Sequence, residues 1–77
     1  MALVKHLAKI TKQRNVVHEP VECSYTIFEA EGARYVQLDT FGSSTRKLKH
    51  KVSQALQFDR ESAGELRAIL DRAFPEP

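Results

Sequence analysis

The hydrophobic period of this chain changes once, at Asp59, and that change limits the folds open to it. After Asp59 the apolar residues recur at three and four positions. Ala63, Leu66, Ile69, Leu70, Ala73 and Phe74 make a wide helical stripe. Asp59 suits the N-cap, Glu61 stands in the first turn, and Arg67 and Arg72 come later, the order the helix dipole favours. Pro75 ends the helix. Gly64 costs the interior about 1 kcal/mol relative to Ala, which the packing of the stripe outweighs.

Before Asp59 the period is two. Val21, Cys23, Tyr25 and Ile27 alternate with Glu22, Ser24 and Thr26, the pattern of a half-buried strand with the first set inward. On that reading Cys23 is a small core residue. Glu29-Ala30-Glu31-Gly32 supplies a turn in which Gly32 takes positive φ. A second strand runs from Ala33 to Phe41, with Val36 and Leu38 to one side and Tyr35, Gln37, Asp39 and Phe41 to the other. Gly42-Ser43-Ser44-Thr45 reads as a loop. A third strand follows, in which Val52, Gln54, Leu56 and Phe58 alternate with Ser53, Ala55 and Gln57.

The first twenty residues are less regular. Leu3, Leu7 and Ile10 share a helical face, whereas Val4, His6, Ala8 and Ile10 share a strand face. The first pattern is the better one and predicts a short basic helix or a mobile arm. Residues 11–20 have no clean period and end at Pro20, as a connecting segment does. The expectation is an α+β chain: a basic arm over 1–20, then a β-β-β-α domain over 21–77 with an antiparallel sheet and one helix on one face. Val16 and Val17 are the place where a further strand would begin.

Seventy-seven residues with one cysteine form no intramolecular disulfide, and a chain this short buries only about 60% of its unfolded surface. The 42% hydrophobic content still marks a globular chain. Its missing stabilisation points to a homo-oligomer. No apolar run approaches the roughly 20 residues that span a bilayer. Lys5, His6 and Lys9 interrupt any secretory core, so a cytoplasmic location is expected.

The net charge of +2 conceals a pattern. Lys5, Lys9, Lys12 and Arg14 give residues 1–14 a charge of +4, with no acid among them. Residues 15–41 carry Arg34 against Glu19, Glu22, Glu29, Glu31 and Asp39, for −4. Arg46, Lys47, Lys49 and Lys51 then restore +4 in residues 42–51, again without an acid. Two acid-free basic clusters in so short a chain predict a positive surface patch.

The residues point away from catalysis. His6, His18 and His50 are scattered without metal-site spacing, and the three glycines form no phosphate-cradling loop. No local motif supports a Cys23 dyad with His18 or His50. No cofactor, metal or small-molecule substrate is expected. The aromatic residues carry more information. If Val36 and Leu38 pack under the helix, Tyr35 and Phe41 lie on the uncovered face near the basic run. Single-stranded nucleic acid uses such a surface, with bases on the rings and phosphates on the cations. A second subunit covering that face would use the same residues as interface core.

Tyr35-Val-Gln-Leu-Asp-Thr-Phe41, Arg46-Lys-Leu-Lys-His-Lys51, Leu56-Gln-Phe58 and Asp59-Arg-Glu-Ser-Ala-Gly-Glu-Leu66 together resemble the single-stranded DNA-binding domain of the positive-cofactor-four transcriptional coactivators and their small bacterial relatives. The similarity runs from about Cys23 to Phe74. It aligns the strand ending in an aromatic residue, the basic loop, the short apolar strand and the helix start, with Arg60 where the family prefers Pro and Ala63 where it usually has Trp. The resemblance implies a small curved antiparallel sheet of three to four strands followed by one C-terminal helix. It also implies a homodimer that binds single-stranded DNA in transcription, replication or repair. Arg46, Lys47, Lys49 and Lys51 would then contact phosphates, with Arg34 adjacent on the hairpin. Tyr35 and Phe41 would stack bases, and Lys5, Lys9, Lys12 and Arg14 of the arm would add affinity without sequence preference. The alternative expectation is a protein-interaction or adaptor module whose aromatic face docks a partner chain.

Overall fold

A computed structural model describes residues 1–42 and 52–77. The order is β1 (Ala2–Val4), β2 (Cys23–Ala30), β3 (Ala33–Phe41), β4 (Val52–Phe58) and α1 (Arg60–Ala73). These form one four-stranded sheet, ordered β1-β4-β3-β2, with a single C-terminal helix. The fold is the expected α+β arrangement. β2, β3 and β4 pair antiparallel, while β1 joins β4 in parallel, so the sheet is mixed.

The hairpin forms where the glycine predicted it. Only Glu31 and Gly32 separate β2 from β3, with φ of 52° and 77°. Two successive positive φ values match the twist of the flanking strands, and glycine bears the second without steric cost. The eight-residue register from Cys23↔Thr40 to Ala30↔Ala33 follows from that turn. Thr40 and Phe41 interrupt the register between β3 and β4, which otherwise pairs Val36 with Phe58 and Leu38 with Leu56.

Alternation and register sort the side chains onto two faces. Val4, Ile27, Val36 and Phe58 share one, continued by Tyr25, Leu38 and Leu56. α1 lies on this face: Val36, Leu38 and Phe58 line a cleft with Ala63, Leu66 and Leu70. The helix is fastened at its start by a capping box. Ser62 N–H donates to Asp59 Oδ1 at 2.9 Å, and Asp59 N–H donates to Ser62 Oγ at 3.0 Å. Ser62 is fully buried, which makes this cap part of the core on the Phe58 side of the sheet. Glu61 and Arg72 occupy the first and last turns as the dipole favours.

Two expectations need correction here. Residues 3–10 are not a helix; Ala2–Val4 adds the fourth strand, because the outer edge of β4 offers unpaired backbone donors and acceptors. That strand, and not Val16 and Val17, completes the sheet, and both valines are exposed. The second concerns the inward set of β2. Its side chains do point to the helix side, yet Cys23, Tyr25 and Ile27 are all exposed. The reason is topological: α1 packs on β3 and β4, and β2 is the edge strand beyond its reach. Cys23 is therefore a surface residue.

Candidate nucleic-acid interface

The sheet face away from the helix is built from alternate positions of the four strands, with Leu3 from β1. Thr26 and Phe28 come from β2, Tyr35, Gln37 and Asp39 from β3, and Ala55 and Gln57 from β4. Cross-strand partners in this register stand within side-chain contact. Phe28 is opposite Tyr35, and their rings stack with centroids 5.5 Å apart and planes 27° apart. Both are half-buried, so each ring keeps surface open.

Beside the rings runs a hydrogen-bonded row. Gln57 Nε2 donates to Gln37 Oε1 at 2.8 Å, and Gln37 Nε2 donates to the Asp39 carboxylate at 2.9 Å. The row ties β4 to β3 and holds the Asp39 carboxylate by an amide donor. Among the described residues, the Gln57 carbonyl and the second amide hydrogens of the row have no partner. A flat aromatic pair next to oriented amides suits the faces and edges of planar heterocycles.

The predicted site residues are distributed unequally around this face. Tyr35 lies in it. Phe41 follows the break in register and stands opposite Val52, so the strict alternation from Tyr35 to Asp39 stops one residue short of it. Arg34 is on the helix side with Val36 and is engaged there. It donates to Glu29 at 2.8 Å in a pair about two-thirds exposed at both ends, an arrangement that contributes little to stability. Lys5 is paired with Asp59 at 2.6 Å. The hydrogen bond and the charge of Asp59 raise the lysine pKa, with smaller contributions from Glu61 and the Tyr35 phenol. Lys5 therefore stands beside the aromatic pair with its charge already partnered. Lys9, Lys12 and Arg14 are exposed in the segment after β1. Arg46, Lys47, Lys49 and Lys51 lie outside the described residues.

Phe28 is the residue that the sequence reading did not select. Extending the outward set Ser24 and Thr26 by one step would have found it, since a phenylalanine on the outward parity of an edge strand has no core to enter.

The arm also meets the helix start. Leu7 N–H donates to Glu65 Oε1 at 2.9 Å, and His6 Nδ1 approaches Glu65 Oε2 at 3.6 Å. His6, Glu61 and Glu65 place three ligand atoms within 4.8 Å of one another. In this arrangement Glu65 is committed to the arm, and the group acts as a clasp between residues 5–7 and α1. Among the described residues no helix is long and apolar enough to cross a membrane. Compared with protein-family models, curated proteins and solved structures, the chain matches none.

Proposed function

We propose that the protein binds single-stranded nucleic acid, DNA in the first instance, as a homodimer serving transcription, replication or repair. The observation that carries this reading is the Phe28–Tyr35 stack on the sheet face opposite the helix, flanked by the Gln57–Gln37–Asp39 row. Bases stack on such rings whatever their sequence, while amide groups meet base edges and sugars. The cations are Lys9, Lys12 and Arg14 of the arm and Arg46, Lys47, Lys49 and Lys51 between β3 and β4. They follow the phosphates.

The dimer uses the other face. Tyr25, Ile27, Leu56, Leu70 and Phe74 are between 43% and 76% exposed there. Exposed apolar side chains gathered on one face suit burial against a second copy. The same apolar patch favours the second reading, an adaptor that docks an unrelated protein chain.

The test is a labelled oligothymidine titrated with protein at several salt concentrations. Binding that weakens steeply with salt, by about −0.7 in the log–log slope for each neutralised phosphate, supports the proposal. Absence of binding at low salt ends it and leaves the adaptor reading.

A further inference from the structure

Residues 1–7 are held entirely by β4 and by the start of α1. Ala2, Leu3 and Val4 pair with Leu56, Gln57 and Phe58. Lys5 meets Asp59, and Leu7 N–H meets Glu65. The chain must then reach β2, on the opposite edge of the sheet. Val4 stands level with Phe58, and Cys23 with Thr40 and Gln54, so the two ends are four residues apart along the strands and three strands apart across them. At ordinary strand spacings that separation is about 20 Å. The connecting residues 5–22 span up to about 60 Å when extended.

β1 and β2 run parallel, so these residues are a crossover from the end of one to the start of the other. They have ample length for that path, and they do not pack. Every residue from Ala8 to Glu22 is exposed, including Ile10 (69%), Val16 (75%) and Val17 (99%). Among the described residues, its one backbone tie outside the arm is the Glu22 carbonyl, which accepts from Phe41 N–H. A long, unpacked connection between two docked elements, with exposed apolar side chains along it, is the geometry of exchange between protomers.

We propose that the homodimer is arm-exchanged: residues 1–7 of each chain seat on β4 and α1 of the other. This inference rests on the homodimer of the proposed function and adds its connectivity. Exchange keeps every contact of the arm, because the strand pairing, the Lys5–Asp59 pair and the Glu65 clasp form identically in trans. It differs from the closed form only in giving Ile10, Val16 and Val17 a second subunit to lie against. It also carries Lys9, Lys12 and Arg14 of each protomer across to its partner.

The test needs no substitution. Chains of natural isotope content and ¹⁵N-labelled chains are unfolded together, refolded as an equal mixture and treated with a zero-length carbodiimide. The reagent joins Lys5 Nζ to the Asp59 carboxylate, 2.6 Å apart. Native mass spectrometry reads the oligomeric state of the same sample. Dimers in which about half of the Lys5–Asp59 linked peptides carry one light and one heavy member are the expected result. Dimers whose linked peptides are all of one isotope overturn the exchange and leave the homodimer standing. A monomer with linked peptides of one isotope overturns the homodimer together with the exchange.

Discussion

Replacing Phe28 by Ala should weaken single-strand binding without altering its salt dependence. A stacking ring contributes about 1–3 kcal/mol per base, which corresponds to roughly 5- to 150-fold in Kd. The geometry narrows this. Phe28 and Tyr35 stack at 5.5 Å, so the inner surface of each ring is occupied by the other and only the outer surfaces are free for bases. Removing Phe28 deletes one platform and also the ring–ring contact, about 0.5–1.5 kcal/mol, which had fixed the Tyr35 ring. Phe28→Ala and Tyr35→Ala should therefore each weaken binding by at least fivefold, by this stacking scale. The double variant should lose less than the product of the two, since each single change already disorders the surviving ring. Fluorescence anisotropy of a labelled oligothymidine, repeated at several salt concentrations, measures both quantities. The log–log slope should stay at the native value because neither substitution removes a cation. Phe28→Leu, which keeps apolar bulk but not the ring, controls for loss of packing and should bind nearly as weakly as the alanine variant. Affinity within twofold of the native protein in Phe28→Ala, with a native melting profile, would refute the stacking role.

Two other changes test the framework that presents these rings. Phe58 is the largest side chain of the core, 6% exposed where the helix meets the sheet. Phe58→Ala should cost about 3–5 kcal/mol, a large part of the roughly 4–12 kcal/mol expected of a chain this long; a urea midpoint close to native would contradict the packing described. Acid should also weaken the fold. The Lys5 hydrogen bond, and then the Ser62 backbone N–H, hold the Asp59 carboxyl far below the usual carboxylate range. Its contribution is thus complete above the unfolded value of about 4 and declines as pH falls below it. Lys5→Met should flatten that acid limb in urea melts at successive pH values, and an unchanged limb would remove Lys5 from its cause.

The parts of the fold legible in sequence were those governed by local chemistry. The Glu31-Gly32 turn, the span Ala33–Phe41, the Asp59 cap and the Pro75 stop depend on residues within a few positions of one another. What escaped depends on partners distant in sequence. Ala2–Val4 carries no strong strand signal in three residues and becomes a strand because β4, more than fifty positions away, has an open edge. Cys23, Tyr25 and Ile27 have the alternation of a buried face, yet period two says which way a side chain points and not whether anything lies over it. A 14-residue helix on a four-stranded sheet covers the middle strands and leaves β2 bare. Tyr35 was found because it is opposite in parity to Val36. Phe28 was missed because its meaning comes from Tyr35 across the hairpin. Arg34 illustrates the converse: adjacency to Tyr35 in sequence puts it on the other side of the sheet, where Glu29 holds it.

That opposition of neighbours gives the proposed functions a separable layout. On β3, Val36 and Leu38 face the helix and the apolar patch, while Tyr35 and Gln37 face the aromatic row. A substitution at Val36 or Leu38 thus reports on packing against the helix, and one at Tyr35 or Gln37 reports on binding, within a single strand. Such a division fails if the strand slips by one residue, because every side chain then changes face. The tight Glu31-Gly32 turn opposes a slip from one end of the hairpin. The Gln57–Gln37 bond opposes it across the β3–β4 pair, where it closes only when the two glutamines are directly opposed, as they are here. The amide row therefore has two roles on this account. It offers polar groups to a bound strand, and it fixes the register that keeps the rings on the open side.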